Sequence, residues 1–148
     1  MDRKTFIKNC GQSCIATSAL FTLLQSCGVS KTLSGSMTDS DIIVQLSDFE
    51  TKAGTEVHYK KYVVVNNERL KYPICVYRAD AQNFTALWLS CTHQHAELQV
   101  FGDKLQCPAH GSEFDTAGKV TNGPAGANLR SFPVTIENNQ LKISLKTI

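Results

Sequence analysis

Short runs of apolar and β-branched residues, separated by turn residues, fill the chain from Asp41 onwards. The runs are "DIIVQLSDF", "KKYVVVNN", "YPICVYRAD", "FTALWLSC", "ELQVFGDKLQC" and "SFPVTIENNQLKISLKTI". Runs this short, rich in Val, Ile and aromatic residues, are typical of strands rather than helices. The pairs Asn66-Asn67, Gly102-Asp103 and Asn138-Asn139 each lie between two runs and predict hairpin connections. The pattern therefore predicts an all-β domain, sandwich-like or barrel-like.

One face of the last predicted hairpin is expected to be buried. Its apolar residues alternate with polar neighbours, as side chains on opposite faces of a strand do. These alternating residues are Val134, Ile136, Leu141, Ile143 and Leu145.

The N-terminus has a different pattern. Arg3, Lys4 and Lys8 precede an apolar stretch that is densest at Ile15–Leu24. A basic start followed by an apolar run is typical of an export signal, although an ordinary amphipathic or buried helix is an alternative. "DRKTFIK" resembles a twin-arginine signal in which Lys4 replaces the second arginine. "LQSC" resembles a bacterial lipobox that would leave Cys27 lipid-modified.

These features predict how the chain is organised. Residues 1–27 are expected to be an export signal, twin-arginine-like or of the lipoprotein type, or a retained signal anchor. Residues 28–40, rich in Ser, Gly and Thr, are expected to form a flexible tether, and residues 41–148 the folded domain. In either case the domain is expected to be exported in a bacterium and tethered to the membrane on the periplasmic side, through a lipid or the N-terminal anchor.

Composition narrows the function classes further. Apolar residues make up 42% of the chain, charged residues 19%, and the formal charge is only +2. This balance is ordinary for one globular domain and gives no reason to expect a nucleic-acid partner. Three of the six cysteines lie in the first 27 residues and two lie beside histidines. That distribution favours metal ligands over a disulfide framework.

The candidate chemistry lies in "CTHQHAELQVFGDKLQCPAHGSEFD", residues 91–115. Cys91-x-His93 and Cys107-x2-His110 are two similar boxes with thirteen residues between His93 and Cys107. A hairpin over "ELQVFGDKLQ" would bring them side by side. One zinc ion with two cysteine and two histidine ligands is one interpretation, but structural zinc sites usually pair like ligands along the chain. Mixed boxes also fit two adjacent irons, one taking both cysteines and the other both histidines.

The sequence resembles the Rieske family at this point. "CTH" and "CPAHGSEFD" look like its two cluster-binding boxes, and "GKVTNGPAGANLRSFPV" is similar to the following segment with its proline-containing loop. The resemblance implies an antiparallel β-sandwich or barrel with a small cluster-binding subdomain, and a Rieske-type [2Fe-2S] cluster. Cys91 and Cys107 would bind the inner iron, and His93 and His110 the outer iron near the surface.

The resemblance also assigns residues around the cluster. Ser112 matches a serine that hydrogen-bonds a bridging sulfur in high-potential relatives, whereas Phe114 stands where those relatives have a tyrosine. With the serine kept and the tyrosine hydroxyl lost, we expect a reduction potential in the middle of the family's span of about −150 to +300 mV. Pro124 would lie in the loop that covers the cluster. Ala96 and Ala109 occupy the positions of a disulfide found in quinol-oxidising relatives.

Further departures concern the partner. Gln94 stands where quinol-oxidising relatives have an apolar residue, and His95 occupies the usual glycine position. His95 is expected to be an exposed histidine outside the four-ligand frame, and Trp88 is expected to belong to the core.

The resemblance implies one-electron transfer in a membrane-associated respiratory or oxidoreductase chain, with a membrane quinol or a redox protein as partner. Two alternatives remain at this point. The first is the small electron-transfer subunit of a periplasmic oxidase, similar to arsenite oxidase. The second is a zinc-stabilised binding module. No catalytic domain is expected within the chain.

Overall fold

The computed structural model describes residues 32–146, and almost all of their regular structure is β-strand. Within this range the single helical element is a 3₁₀ turn at Leu46–Phe49. The all-β prediction is therefore confirmed. In chain order the strands are β1 Thr32–Ser34, β2 Ser36–Thr38, β3 Asp41–Gln45, β4 Glu50–Ala53, β5 Glu56–Tyr59, β6 Tyr62–Asn66, β7 Ile74–Arg78, β8 Phe84–Trp88, β9 Gln99–Phe101, β10 Lys104–Gln106, β11 Glu113–Asp115, β12 Val120–Asn122, β13 Ser131–Phe132, β14 Val134–Glu137 and β15 Gln140–Ser144.

The strands form a central sheet, two outer sheets and a separate hairpin. The central sheet has the order β1-β6-β7-β8-β13, and β1 runs parallel to β6 while the other pairs are antiparallel. One outer sheet, β12-β11-β10-β9, carries the segment between the two cysteine–histidine boxes. The other, β14-β15-β3-β2, joins the two ends of the described chain, and β4 pairs with β5 alone.

The central sheet is buried on both faces, which explains its unbroken apolar runs. Val63, Val64 and Val65 are consecutive on β6, and all three are buried. Successive side chains of a strand point to opposite faces, so such a run is stable only where both faces are covered. The same reasoning applies to the four consecutive buried residues at the start of β7.

Two apolar clusters form on the opposite faces of this sheet. One contains residues of β3, β15 and the central strands, with Ile42 and Leu141 fully buried. The other combines residues of the central sheet and of the β9–β12 sheet, and it includes both Cys91 and Cys107. The second cluster therefore anchors the candidate ligands to the core.

The three predicted hairpin connections are confirmed, since each joins two strands that pair antiparallel. Gly102 has φ 59° between β9 and β10, and Asn138 and Asn139 have φ 50° and 63° between β14 and β15. Two consecutive positive φ values are typical of the tight turn that matches strand twist. The third connection joins β6 and β7, which pair antiparallel as predicted, but it is longer than a tight turn because β7 begins only at Ile74. The Asn67 side-chain amide donates to the Gly35 carbonyl at 2.9 Å.

The predicted start of the folded domain must be moved towards the N-terminus. Residues 32–38, assigned to the flexible tether, contain β1 and β2, which pair with β6 and β3. Ser and Gly in this segment gave it the composition of a linker, but its backbone completes two sheet edges. The predicted export signal, including Cys27, lies outside the described residues. Residues 32–146 contain no helix with the length and apolar character needed to span a membrane.

The turn between β11 and β12 provides a test of packing. Gly118 has φ 81°, and a Cβ there would lie 2.8 Å from Leu87 Cδ2 and 3.2 Å from Leu129 Cβ. Gly54 has φ 66° with nothing within 4 Å of its Cβ position. Both Gly→Ala changes carry left-handed backbone strain of about 1 kcal/mol. We expect Gly118→Ala to lower the free energy of unfolding by about 1–3 kcal/mol more than Gly54→Ala, measured by denaturant titration, because it also overpacks the core. Equal losses would contradict this packing.

Candidate metal centre

The two cysteine–histidine boxes form loops with the same backbone hydrogen bonds. In the first, the Cys91 N–H donates to the Ala96 carbonyl at 2.9 Å, and the His95 N–H donates to the Cys91 carbonyl at 2.8 Å. In the second, the Cys107 N–H donates to the Ser112 carbonyl at 2.8 Å, and the Gly111 N–H donates to the Cys107 carbonyl at 3.0 Å. Both loops therefore close on the cysteine that opens them.

This loop geometry requires a left-handed residue four positions after each cysteine. Gly111 meets the requirement with φ 76°, and His95 meets it with φ 57°. Glycine adopts this conformation without steric cost, whereas a residue with a Cβ does so at a cost. The structural equivalence of His95 and Gly111 explains why His95 falls outside the frame of four candidate ligands.

The structure separates the four candidate ligands by type. The thiols of Cys91 and Cys107 are buried, with relative exposures of 0% and 2%. His93 and His110 are exposed, and their ring centroids lie 5.2 Å apart with the rings nearly perpendicular. The β9–β10 hairpin produces this arrangement, because its antiparallel strands place the box before β9 beside the box after β10. The predicted convergence of the two boxes is confirmed.

A third loop, residues 123–128, connects the first two. The Thr92 hydroxyl donates to the Ala127 carbonyl at 2.6 Å, which ties it to the first loop. The Ala125 N–H donates to the Ser112 hydroxyl oxygen at 3.0 Å, which ties it to the second. Pro124, the predicted loop proline, follows a cis peptide bond at Gly123.

These hydrogen bonds join the loops where the sequence has no disulfide. Cys75, Cys91 and Cys107, the cysteines of the described chain, are all unpaired. Ala96 is half-buried and Ala109 exposed at the positions where the resemblance placed the missing cysteines. The third loop contacts both ligand loops by hydrogen bonds instead.

Two residues that the sequence did not predict to be near the site contact the first loop, and neither belongs to it. The Tyr72 hydroxyl donates to the His95 carbonyl, and the Ser90 hydroxyl lies 3.3 Å from His95 Nδ1. Ser90 is almost fully buried, and the His95 ring gives its hydroxyl the hydrogen-bond partner that a buried polar group needs. Tyr72 lies in a connection far along the chain, and no local motif indicated its role.

Cys75 shares the apolar cluster with the candidate ligand cysteines but differs from them chemically. Burial raises the pKa of its thiol to about 12. Burial, and then the neighbouring Cys75, also raise the pKa of Tyr77. The Tyr77 hydroxyl is buried without a hydrogen-bond partner among the described residues. Cys75 therefore stays protonated at neutral pH and behaves as a small buried apolar residue.

A family model, the Rieske [2Fe-2S] domain, matches residues 49–133, which is more than half of the chain. The fold and the paired loops agree with that match. The chain belongs to the Rieske [2Fe-2S] domain family.

Individual relatives share shorter segments. The cytochrome b6-f complex iron-sulfur subunit of Prochlorococcus marinus (strain NATL1A) is 45% identical over 56 residues, which cover 36% of this chain and 32% of the subunit. The ferredoxin component of the naphthalene 1,2-dioxygenase system of Pseudomonas putida is 36% identical over 59 residues, 37% of this chain and 57% of the ferredoxin. The chain thus matches about a third of the length of the b6-f subunit.

A solved structure shows the same relationship over a longer range. The plasma membrane Rieske protein of Synechocystis PCC 6803 has a TM-score of 0.50 and 26% sequence identity. The match covers 57% of this chain and 86% of that protein.

Membership of the family implies a Rieske-type [2Fe-2S] cluster and electron transfer as its function. The donor set fits this group, because two buried thiols lie in loops that also present two histidines. Among residues 32–146, no three His, Cys, Asp or Glu side chains converge as the ligands of one metal ion. Because the matching family is a [2Fe-2S] domain, the [2Fe-2S] cluster replaces the zinc interpretation.

The Ser112 hydroxyl provides a test of how the loops are joined. Ser112→Ala would leave the Ala125 N–H, in an almost fully buried residue, without its acceptor. We expect the free energy of unfolding to fall by about 1–3 kcal/mol, measured by denaturant titration of the cluster-loaded protein. Ser131→Ala, at an exposed strand position, is the control and should change it by less than about 0.5 kcal/mol. The same loss in both variants would contradict the role of the third loop.

Proposed function

We propose that this protein is an exported, membrane-tethered Rieske protein that passes single electrons between a membrane quinol, or another reductant, and a redox partner. The observation that carries the proposal is the pair of exposed histidine rings beside two buried cysteines. It is supported by similarity to a b6-f iron-sulfur subunit and to a plasma membrane Rieske protein. The second of these is a plasma membrane protein by name, and the N-terminal sequence has the layout of an export signal.

The ligand assignment is part of this proposal. The buried Cys91 and Cys107 would bind one iron, and the exposed His93 and His110 would bind the other. The bound cluster supplies one-electron chemistry. The chain itself excludes water from the thiols, which are buried among apolar side chains, and leaves the imidazoles accessible to a partner.

Two further residues are assigned to the cluster environment. The Ser112 hydroxyl already accepts from the Ala125 N–H, so its proton is free to donate to a cluster sulfur. Phe114 is fully buried on β11 and has no hydroxyl to offer. One such hydrogen bond without the second favours an intermediate reduction potential, because hydrogen bonds to sulfur stabilise the more negative, reduced cluster.

A second candidate function is the small electron-transfer subunit of a periplasmic oxidase. The observation that favours it is Gln94, an exposed polar residue beside His93 where quinol-oxidising relatives carry an apolar one. Similarity to the ferredoxin component of a dioxygenase system also supports this candidate.

Variants with matched controls test the ligand assignment. We expect His110→Ala and Cys107→Ser to abolish the visible absorption and the electron paramagnetic resonance signal of the [2Fe-2S] cluster, because each removes one iron ligand. His95→Gly and Cys75→Ala should retain both signals. Glycine suits position 95, whose φ is 57°. A cluster that survives loss of His110 but not of His95 would overturn the assignment.

Cell fractionation tests the membrane setting. We expect the wild-type protein to sediment with bacterial membranes and to incorporate labelled fatty acid, because a lipidated cysteine would anchor it. Cys27→Ser should lose the label, whereas Cys14→Ser, the control within the same segment, should keep it. Membrane association without label in the wild type would indicate a retained anchor. A wild-type protein found only in the cytosol would contradict the proposal.

A further inference from the structure

A pocket of about 250 Å³, lined by neither His93 nor His110, combines positive charge with aromatic side chains. We call it the basic aromatic pocket. Its main lining residues are Arg69, Lys71, Trp88, Arg130 and Phe132. Arg69, Lys71 and Arg130 are exposed, while Trp88 is only half-buried, so the expectation that Trp88 belongs to the core is wrong in part. The sequence could not place these residues together, because they come from three separate segments.

The charge of this pocket is not a reflection of overall composition. Residues 32–146 contain 11 Lys and Arg and 12 Asp and Glu, a nearly even balance. No carboxylate lines the pocket. Within the described range, Arg69, Lys71 and Arg130 also take part in no salt bridge, although Lys61, Lys104 and Lys142 do. Uncompensated cations on one face attract an anionic partner.

Aromatic contacts hold part of this pocket in shape. The Arg130 guanidinium lies 4.8 Å from the Phe132 ring centroid and 5.9 Å from that of Trp88. The Trp88 backbone N–H donates to the Arg130 carbonyl at 2.9 Å. A guanidinium placed over aromatic rings loses less freedom on binding than an unsupported one, and Trp and Arg are the residues that most often dominate protein interfaces.

A continuous set of contacts leads from this pocket to the first ligand loop. The Trp88 ring packs edge-on against Tyr72, with centroids 5.5 Å apart. The Tyr72 hydroxyl donates to the His95 carbonyl, and the His95 N–H donates to the Cys91 carbonyl. A partner on the pocket would therefore be connected to the loop of Cys91 through packed rings and hydrogen bonds.

We propose that the basic aromatic pocket is the docking surface for an acidic one-electron redox protein. One electron passes between the bound cluster and that partner, so that one is oxidised by one electron as the other is reduced, and no bond forms or breaks. The chain thus has a docking face distinct from the exposed edges of His93 and His110. The inference rests on electron transfer as the family's function, and not on the membrane setting proposed above.

A membrane surface fits the pocket less well than a protein does. Binding to anionic lipid typically uses four to eight clustered Lys or Arg residues. Three cations around a recess instead match a protruding acidic segment of a protein. The contacts from Trp88 through Tyr72 to the first ligand loop also favour a redox partner, because they connect the pocket to the loop of Cys91.

Stopped-flow kinetics with a small acidic blue-copper protein as electron acceptor tests the proposal. The cluster-loaded full chain is reduced and then mixed with this probe at low and high salt. We expect the wild-type rate constant to fall as salt rises, because screening weakens the attraction. Arg69→Glu/Lys71→Glu should lower the rate constant at low salt about tenfold or more. Arg130 stays unchanged, because it packs on Trp88 and Phe132.

Lys52→Glu/Lys119→Glu is the matched control. It makes the same change in net charge at two exposed lysines that do not line the pocket. We expect it to lower the rate constant by less than about twofold. Equal losses in the two double variants, or no loss in Arg69→Glu/Lys71→Glu, would overturn the proposal.

Two further measurements separate docking from other effects. The affinity for the same blue-copper protein with redox-inert zinc in place of copper should weaken in Arg69→Glu/Lys71→Glu, while the cluster spectrum and reduction potential stay unchanged. Sedimentation with anionic and neutral vesicles tests the membrane. A preference for anionic vesicles that Arg69→Glu/Lys71→Glu abolishes, with unchanged rates towards the acceptor, would overturn the proposal in favour of a lipid surface. Failure of the docking proposal would leave the Cys27 lipidation result unaffected.

Discussion

The β9–β10 hairpin is the constraint on which the site depends. Because β9 and β10 are antiparallel, the loop that precedes β9 and the loop that follows β10 lie side by side. Each loop then closes on its own cysteine through the same two backbone hydrogen bonds. A Rieske-type cluster needs this pairing, because each box has only one cysteine and one histidine, whereas one iron takes two cysteines and the other two histidines.

The central sheet makes the buried half of that site stable. Both of its faces are covered, and the face towards the β9–β12 sheet holds Cys91 and Cys107 in one apolar cluster. This apolar cluster keeps water from the thiols, whereas His93 and His110 lie outside it and are exposed. The hydrogen bonds of Thr92 and Ser112 to the third loop hold this arrangement in a chain whose described cysteines are unpaired.

Much of the fold could be predicted from local pattern. Alternation and turn residues indicated the β14–β15 and β9–β10 hairpins, because both depend only on neighbours in sequence. The prediction failed at residues 32–38, where a linker-like composition hides two strands. The connection at Asn66-Asn67 joins paired strands as predicted, but the polar pair did not indicate that it continues to Pro73. Strands at sheet edges depend on partners that are distant in sequence, so their own residues carry little signal.

The sequence by itself determined the chemistry of this protein. Two cysteine–histidine boxes at a fixed spacing, followed by a proline-containing loop, indicated a Rieske-type [2Fe-2S] cluster, and the family match confirms it. The tertiary structure alone decided what surrounds it. Tyr72 supports the first loop, and Arg69, Lys71 and Arg130 meet around Trp88, through contacts between segments far apart in the chain. Such contacts arise from sheet order, which no local pattern contains.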